Sequence, residues 1–289
     1  MGKGLFVTDL DGTLLRDDRT LSKRDLDALG GLEASGVTRI LATGRSEYSF
    51  SRLMASLGFT GSAGKSKKHL PVDYVIFSTG AGIMEYPGLS MVQATHLHGS
   101  DVVKAGSCFE KLGLDYMVHR PFPDSRYFLY RSRGDENPDF YTRLGLYESQ
   151  CAPLDGMDAL GRFGTATQLL AVLPVSGNMT RTLDQIRKSL AEYSVITATS
   201  PLDRMSVWVE VFSSGVSKSS AAAFLARRLG IARKNAVAVG NDYNDLDLLE
   251  WAGTGFVVEN APSGLKKCFE TVPSNNRNGV CAAVMKCAW

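Results

Sequence analysis

The chain has 289 residues, of which 44% are hydrophobic and 21% are charged, and its formal net charge is +2. These values are ordinary for a soluble globular protein, and the length is enough for one large or two ordinary domains. The short basic cluster Lys65–Lys68 is typical of a solvated loop, so the charge pattern indicates neither a nucleic-acid partner nor a membrane surface.

The N-terminal part of the chain alternates strand and helix patterns. Short apolar runs predict strands at Leu5–Thr8, Thr38–Ala42 and Val72–Phe77. Amphipathic segments between them predict helices at Ser22–Ala34, with its first serine as the cap, and at Ser46–Leu57. Strands that alternate with helices indicate βαβ units and a parallel sheet.

Two carboxylates, Asp9 and Asp11, follow the first predicted strand, where the chain turns at Gly12. Open α/β sheets bind ligands at the carboxyl ends of their strands. Two close carboxylates repel each other unless a proton or a cation separates them, and Mg²⁺ with oxygen ligands relieves that repulsion. One carboxylate can then act as a nucleophile while the other exchanges a proton with a leaving group. The alternative is a simple Asp-Gly turn; a calcium loop is disfavoured because the apolar Thr13–Leu15 follows.

The pattern becomes mixed in the middle of the chain, and residues 132–164 are rich in glycine, proline and charge. The helices and hairpin-like strands expected here lie at Ser100–Leu112, Tyr116–His119, Tyr127–Arg131, Gln168–Leu173, Met179–Tyr193, Ser194–Ala198 and Val207–Phe212. Such a set indicates an α+β unit inserted into the first domain. We therefore predict a core of residues 1–83 and 207–289 and an inserted domain of residues 84–206.

The alternation of helix and strand returns after the insert. Helices are predicted at Lys218–Leu229 and Leu246–Trp251, and strands at Ala236–Val239 and Gly255–Val258. Several predicted strands end in a polar or glycine-containing loop. These loops are Asp9–Thr13, Thr43–Arg45, Ser78–Gly82 and Gly240–Asp245. In a parallel sheet such loops lie on one edge and can converge on one ligand.

Three of these features suit a phosphate or a metal ion. Thr43–Arg45 offers a hydroxyl, backbone N–H groups near a helix start and a cation, although a capped turn with an Arg45 surface ion pair is the alternative. Lys218 opens a helix and can reach back over the sheet edge, but most lysines are solvated surface residues. The segment Gly240–Asp245 carries four Asn or Asp side chains, which is more than the cap of the next helix needs.

Taken in order, these motifs resemble those of the haloacid-dehalogenase-like (HAD) phosphatases, and within them the Cof-type, subfamily IIB sugar-phosphatase branch. The matching pieces are Asp-Leu-Asp-Gly-Thr at 9–13, Thr-Gly-Arg at 43–45, Gly-Val-Ser-Lys at 215–218 and the Asn-Asp segment at 240–245. The resemblance covers nearly the whole chain. It implies a Rossmann-like α/β core with helices on both faces of a parallel sheet, and an inserted α+β (C2-type) cap domain.

The resemblance also implies roles by position. Asp9 would be the nucleophile that carries an aspartyl-phosphate, and Asp11 the general acid and then the base. The residues that would contact the phosphate are Asp11, Gly12, Thr43, Gly44, Arg45, Lys218 and Asn244. Mg²⁺ would be the cofactor, held by Asp9, the Asp11 backbone carbonyl and Asn241.

One residue departs from the family pattern. Asn241 stands where the family usually has the first Asp of Gly-Asp-x-x-Asn-Asp. A neutral amide oxygen can coordinate Mg²⁺ without bringing charge, and Asp242 and Asp245 remain further possible ligands. Our hypothesis is that Asn241 ligates through its side-chain oxygen while Asp245 supports it from nearby.

The function indicated is therefore a Mg²⁺-dependent phosphatase of small phosphorylated metabolites, most of all sugar phosphates. A phosphomutase, or a non-catalytic protein that binds a phosphorylated ligand, is the alternative. The cap would shape the leaving-group pocket, with four candidate contacts and no preferred one among them: His119, Arg120, Tyr127 and Arg131. We predict a small-molecule partner and no nucleic acid or membrane; the oligomeric state stays open.

The cysteines are five in number and scattered, with no Cys-x-x-Cys pair. They are Cys108, Cys151, Cys268, Cys281 and Cys287. Reduced thiols in a cytoplasmic protein fit this usage better than a disulfide framework or a zinc site. The acidic motif begins at Asp9, which leaves no room for a secretory signal before it, and no apolar run approaches the ~20 residues that span a bilayer.

Overall fold

The structure is a computed structural model that describes residues 4–60, 68–134, 136–287 and 289. Of the predicted basic loop, Lys65–Lys67 lie outside the described residues and Lys68 lies within them. Among the described residues, no helix has both the length and the apolar character needed to cross a membrane.

The strands and helices are numbered in chain order. The strands are β1 Gly4–Asp9, β2 Val37–Ala42, β3 Tyr74–Phe77, β4 Gly82–Glu85, β5 Ser90–Ala94, β6 Asp115–His119, β7 Phe128–Arg131, β8 Cys151–Pro153, β9 Gln168–Leu173, β10 Ser194–Thr199, β11 Val207–Phe212, β12 Ala236–Gly240, β13 Thr254–Val258 and β14 Glu270–Val272. The helices are α1 Lys23–Gly31, α2 Glu47–Ser56, α3 Gly99–Lys111, α4 Pro138–Leu146, α5 Gly156–Phe163, α6 Met179–Ser189, α7 Lys218–Leu229, α8 Leu246–Trp251, α9 Ser263–Lys266 and α10 Gly279–Lys286.

The chain divides into two compact units. The first unit comprises Met1–Ala94 and Ser217–Trp289, and the second comprises Thr95–Val216. The predicted boundaries at residues 84 and 206 differ from this division. Strands β4 and β5 continue the sheet of the first unit by antiparallel pairing onto β3, whereas β11 pairs with β9 and β10 in the second unit. The sheet to which a strand belongs is set by its pairing partners and cannot be read from its own sequence pattern. The boundaries therefore fall about ten residues later than the change in pattern suggests.

The first unit is built on an eight-stranded sheet in the order β14-β13-β12-β1-β2-β3-β4-β5. Its strands are parallel from β14 through β3, which confirms the predicted parallel core. All six residues of the central strand β1 are buried, as expected of a strand with neighbours on both sides and layers on both faces. In the register of the sheet Asp9 lies beside Ala42 and Thr8 lies beside Val239, so β1, β2 and β12 end together.

The apolar core on one face of this sheet is formed by β1 together with α7 and α8. It includes Leu5 and Val7 from the strand, Ala221 and Leu225 from α7, and Leu248 from α8. Each side chain of this set is almost completely removed from water. Burial of one such leucine stabilises the fold by about 1.5–3 kcal/mol. This packing fixes α7, and with it the buried first residue of that helix, against the sheet.

The second unit has a six-stranded sheet in the order β10-β11-β9-β6-β7-β8, mostly antiparallel, with helices packed on it. The side chains of successive residues in β9 lie on opposite faces of this sheet. Leu169 and Ala171 pack in a core shared with α3 and α6, while Leu170 and Val172 pack against Phe140 of α4. Both faces of β9 are therefore covered, which explains its continuous apolar sequence and confirms an α+β unit.

The segment 132–164, where no element was predicted, contains α4, β8 and α5. The side chain of Asn137 accepts a hydrogen bond from Phe140 N, and Pro138 occupies the first position of α4. Asn followed by Pro is a helix-start signal. The N–H groups of the first turn have no partner within the helix, so the missing N–H of Pro costs nothing at this position. The glycine and charge content of the whole segment concealed that local signal. Three further elements, α9, β14 and α10, follow the last predicted strand.

Candidate active site

Segments that are far apart in sequence meet where β1, β2 and β12 end. Asp9 closes β1, Thr43 follows β2, and Asn241 follows β12. Lys218, the first residue of α7, joins them from the helix layer. The loop Ser78–Gly82 after β3 joins them too, since Thr79 N donates to the carbonyl of Thr43 at 3.0 Å. The structure therefore brings all four predicted loops and the predicted lysine to one edge of the sheet of the first unit.

Lys218 is completely buried and lies between two carboxylates. Its Nζ donates to Asp9 Oδ1 at 2.7 Å and to Asp245 Oδ1 at 2.5 Å. The preceding Ser217 fixes the helix start, since its hydroxyl accepts from Ser220 N at 3.2 Å. A buried ammonium is tolerated only when it is paired and hydrogen-bonded. The surface-lysine alternative for Lys218 is thus ruled out.

Burial and the neighbouring charges shift the pKa values of both Lys218 and Asp9. Burial disfavours the ammonium of Lys218, but the charges of Asp245 and Asp9 outweigh burial and raise its pKa above the usual value. Burial, followed by the charge of Asp245, raises the pKa of Asp9 to about 7 despite the opposing effect of Lys218. The positive charge of Lys218 therefore does not offset the effects of burial and of Asp245 on the Asp9 carboxylate. A cation at the other oxygen of Asp9 would favour its ionised form.

Asn241 places a side-chain amide where a ligand of such a cation is expected. Its side-chain amide atom, assigned as Oδ1, lies 3.0 Å from the carbonyl oxygen of Asp11 and 3.2 Å from Asp9 Oδ2. Both neighbours are acceptors without a hydrogen, and Thr13 Oγ1 lies 3.2 Å from the same atom. In an octahedral Mg²⁺ shell with bonds of about 2.1 Å, adjacent ligand oxygens are separated by about 3 Å. The Asn241 amide atom therefore lies at the spacing of an adjacent Mg²⁺ ligand from each of the other two oxygens.

The same amide also satisfies the site without a metal. Rotated by half a turn, its nitrogen donates to the Asp11 carbonyl, to Asp9 Oδ2 and to Thr13 Oγ1 over the same distances. An aspartate at position 241 would have no hydrogen to donate in this way. Among the described residues, no group of three His, Cys, Asp or Glu side chains is arranged to hold a metal ion. A cation here would depend on the amide and the backbone oxygen as well as on Asp9.

Asp245 supports this arrangement from behind. Its Oδ2 accepts from the backbone N–H groups of Asn241 and Asp242 at 2.9 and 3.2 Å, while Oδ1 is paired with Lys218. Gly240 allows this close approach, because a Cβ there would lie 2.6 Å from the Cβ of Asp245. Asp242 is turned aside, since its Oδ1 accepts from Tyr243 N at 2.7 Å and caps a short 3-10 turn. Of the candidate ligands in this loop, Asn241 is the one whose side chain meets Asp9.

Gly12 is required by the same geometry. Its φ of +78° is costly for other residues, and a Cβ there would lie 2.5 Å from Asn241 Nδ2. The turn after Asp11 thus brings the carbonyl of that residue, rather than a side chain, toward Asn241. This is the physical reason that an Asp-Gly pair stands at the end of β1.

The loop after β2 holds Thr43 and Arg45. Thr43 is fully buried, and its hydroxyl accepts from Arg45 N at 3.1 Å. The guanidinium of Arg45 forms a two-point ion pair with Asp11, with Nε to Oδ2 at 2.7 Å and Nη2 to Oδ1 at 2.6 Å. The predicted alternative of an ion pair for Arg45 is thus realised, and its partner is the predicted general acid. Asn244 is half-buried, and its side chain makes no hydrogen bond with a described residue.

Sequence reasoning missed two residues of this cluster. Ser49 of α2 accepts from Arg45 Nη1 at 3.0 Å, and Thr13 approaches Asn241 from the turn after β1. The signal for Ser49 was its position four residues after Arg45 at a helix start, where the two side chains share a face. Thr13 lay inside the recognised motif, but its contact is with a residue far away in sequence.

The candidate contacts in the second unit are mostly committed to its own structure. His119 is buried, its Nδ1 lies 2.7 Å from the carbonyl of Ser125, and burial lowers its pKa to about 3. Arg131 pairs with Glu110, and Tyr127 lies under the guanidinium of Arg126. Arg120 is exposed. These residues stay predictions, and none is singled out by its environment as a ligand contact.

Comparison with known proteins gives one family. The model of the haloacid dehalogenase-like hydrolases matches residues 6–284. YxeH of Bacillus subtilis (strain 168), named as a phosphatase, is 28% identical over 97% of this chain and 96% of that protein. YcsE of the same strain, named 5-amino-6-(5-phospho-D-ribitylamino)uracil phosphatase, is 22% identical over 97% of this chain and 94% of its own. The solved HAD subclass IIB sugar phosphatase BT4131 has a TM-score of 0.73 and 15% identity over 98% of both chains, a likeness of fold.

Proposed function

The chain belongs to the haloacid dehalogenase-like hydrolases and is a phosphatase of that family, and we propose that it hydrolyses small phosphorylated metabolites with Mg²⁺ as cofactor. The observation that carries the proposal is the pair of environments around Asp9. Its Oδ1 is paired with a buried lysine, and its Oδ2 lies 3.2 Å from the side-chain amide of Asn241. A nucleophile needs this division, because one oxygen must stay available to phosphorus.

In the proposed reaction Asp9 Oδ1 attacks phosphorus and forms an aspartyl-phosphate while the ester P–O bond breaks. Asp11 gives its proton to the departing alcohol oxygen. Water then attacks phosphorus, Asp11 takes the proton from that water, and the bond to Asp9 breaks to release phosphate. Lys218 remains paired with Asp9 and compensates the charge of the attacking group. Thr43, Asn244 and the backbone N–H groups of Gly12 and Gly44 are the proposed phosphate contacts.

The residues present fit Mg²⁺. Asp9 Oδ2, the Asp11 carbonyl and the Asn241 amide oxygen would hold it, and Asp245 would keep Asn241 in place. Bound there, the ion would offset the repulsion between an anionic nucleophile and an anionic phosphate. Asp245 is the less suitable ligand, because both of its oxygens already accept hydrogen bonds.

The substrate class proposed is sugar phosphates and related polyol phosphates. BT4131 is described as a sugar phosphatase, and YcsE is named for a substrate with a phosphorylated ribityl chain. Both leaving groups are alkyl alcohols, whose departure requires the proton that Asp11 would give. A phosphomutase would share the nucleophile and differ in the acceptor, which would be a second sugar instead of water.

The test is phosphate release from a panel of sugar phosphates and para-nitrophenyl phosphate, with Mg²⁺ and after its removal by EDTA. We expect release that requires Mg²⁺ and returns when Mg²⁺ is added back. Absence of turnover across the whole panel would contradict the proposal that the protein hydrolyses these phosphate esters. Transfer of labelled phosphate to a second sugar, with little free phosphate, would favour the mutase instead.

Asn241→Asp is expected to tighten Mg²⁺ binding by about tenfold, because it adds a negative charge to the ligand set. The metal-free variant should be less stable than the metal-free wild type, since it places a carboxylate beside the Asp11 carbonyl and Asp9 Oδ2 and loses the donating amide. Mg²⁺ should therefore raise the melting temperature of the variant more than that of the wild type.

The measurement is a Mg²⁺ titration followed by calorimetry and by thermal unfolding, neither of which depends on turnover. The matched control is Asn235→Asp, an exposed asparagine that immediately precedes β12, at the opposite end of the strand from Asn241. Equal Mg²⁺ affinity in Asn241→Asp and the wild type would remove Asn241 from the ligand set.

A further inference from the structure

The ion pair between Arg45 and Asp11 takes up both oxygens of the proposed general acid. Nε and Nη2 of Arg45 donate to Oδ2 and Oδ1 of Asp11 at 2.7 and 2.6 Å. The two side chains are 20% and 36% exposed, so the pair is partly shielded from water. Two-point pairs of this kind fix direction as well as distance. The orientation of the Asp11 carboxylate is therefore determined by Arg45.

Arg45 is in turn held by the scaffold. Its backbone N–H donates to Thr43 Oγ1 at 3.1 Å, and its carbonyl accepts from Ser78 N at 2.9 Å. Its Nη1 donates to the hydroxyl of Ser49 in the first turn of α2 at 3.0 Å. Each of the three guanidinium nitrogens thus donates to a protein acceptor. The loop after β2 and the start of α2 determine where the guanidinium lies.

The two polar groups of Asp11 serve different partners. Its carbonyl oxygen lies 3.0 Å from the amide of Asn241, and its carboxylate is held by Arg45. Arg45 thereby holds the carboxylate away from the proposed cation. A carboxylate that bound the cation would no longer be available to give or take a proton. A guanidinium bound to a transferred phosphate would have to release at least part of this pair.

We propose that Arg45 is a positioning residue for Asp11, and that it does not bind the transferred phosphate. The proposal rests on the proposed phosphatase function and refines it. When Asp11 carries a proton, its hydroxyl oxygen is a weaker acceptor, and the hydroxyl hydrogen is directed away from Arg45. The proton passes to the ester oxygen as the P–O bond breaks, and both hydrogen bonds to Arg45 regain the strength of bonds to a carboxylate.

Leaving groups of different basicity separate the two roles. The value of kcat/KM covers steps up to departure of the alcohol, and para-nitrophenolate departs without a proton whereas a sugar or glycerol alkoxide does not. We expect Arg45→Gln to lower kcat/KM for glycerol 2-phosphate by about 10²-fold and to affect para-nitrophenyl phosphate much less. Inhibition by inorganic phosphate should stay close to the wild-type value.

A phosphate-binding role gives the opposite result: an equal loss for both substrates with weaker inhibition by inorganic phosphate, which would overturn the proposal. Asp11→Asn should show the same dependence on the leaving group, and adding Arg45→Gln to it should cost little more. Additive losses in the double variant would also overturn the proposal. An inactive wild type would instead contradict the phosphatase function itself.

Two further variants guard against a folding artefact. Ser49→Ala removes one hydrogen bond that holds Arg45 and should give a smaller effect with the same dependence on the leaving group. Equal small losses for both substrates in this variant would count against the proposal. Arg52→Gln changes an exposed arginine on the same helix and should leave both substrates unaffected.

Discussion

Asp9→Asn is expected to lower kcat by about 10⁴-fold or more, as removal of a covalent nucleophile does in other enzymes. The amide cannot form the phosphoryl bond, although it occupies the same volume at the end of β1. The fold should survive, because burial already raises the pKa of Asp9 to about 7 and Lys218 keeps its second partner, Asp245. The loss should therefore appear in kcat with little change in melting temperature.

The measurement combines steady-state turnover with mass spectrometry after acid quenching. The wild type should carry one added phosphoryl group on the peptide that contains Asp9, and the variant should carry none. Asp27→Asn is the matched control, since Asp27 pairs with Lys23 on the exposed face of α1. Retention of wild-type turnover in Asp9→Asn would end the assignment of this residue as nucleophile.

The sequence predicted the sheet edge well because its signals are local. The apolar run of β1 ends at Asp9, and a buried parallel strand that stops at a carboxylate before a glycine turn can be recognised from about ten residues. The helix that begins at Lys218 was equally clear from its pattern, and the structure has it at the same residues. What such patterns give is the edge to which each side chain belongs.

The contacts made at that edge could not be predicted in the same way. Arg45 and Asp11 are 34 residues apart, and their pairing depends on how the loops after β1 and β2 turn. The departure at Asn241 was visible, but its meaning depends on the distance to the Asp11 carbonyl, a backbone atom that no side-chain pattern encodes. Distances between separate loops follow from strand register and loop conformation, so they become known only with the fold.

The division into two units lies about ten residues from the predicted boundaries for a related reason. The pattern around Val207–Phe212 is that of any buried strand, and its sheet is decided by its partners β9 and β10. A strand's sequence reports burial and alternation, whereas its membership in a sheet is a non-local property. Helix α4 shows the converse case, in which a local start signal existed but lay in a segment of loop-like composition.

Lys218→Met is expected to destabilise the fold by about 3–5 kcal/mol, the cost of leaving buried charge uncompensated. Lys218 Nζ is the cation that contacts both Asp9 and Asp245 in this fully buried cluster. Without it the two carboxylates face each other, and one of them has to take up a proton. Turnover should fall as well, because the variant favours the protonated form of the nucleophile.

The double variant Lys218→Met with Asp245→Asn separates charge from packing. The oxygen of the new amide can still accept from the backbone of Asn241 and Asp242, while its nitrogen replaces the carboxylate oxygen that faced Lys218. If buried charge is the cause, chemical denaturation should show part of the lost stability restored, and Lys23→Met at the exposed pair should change little. A double variant less stable than either single one would mean that uncompensated charge is not the cause of the loss, because relief of that charge should restore stability.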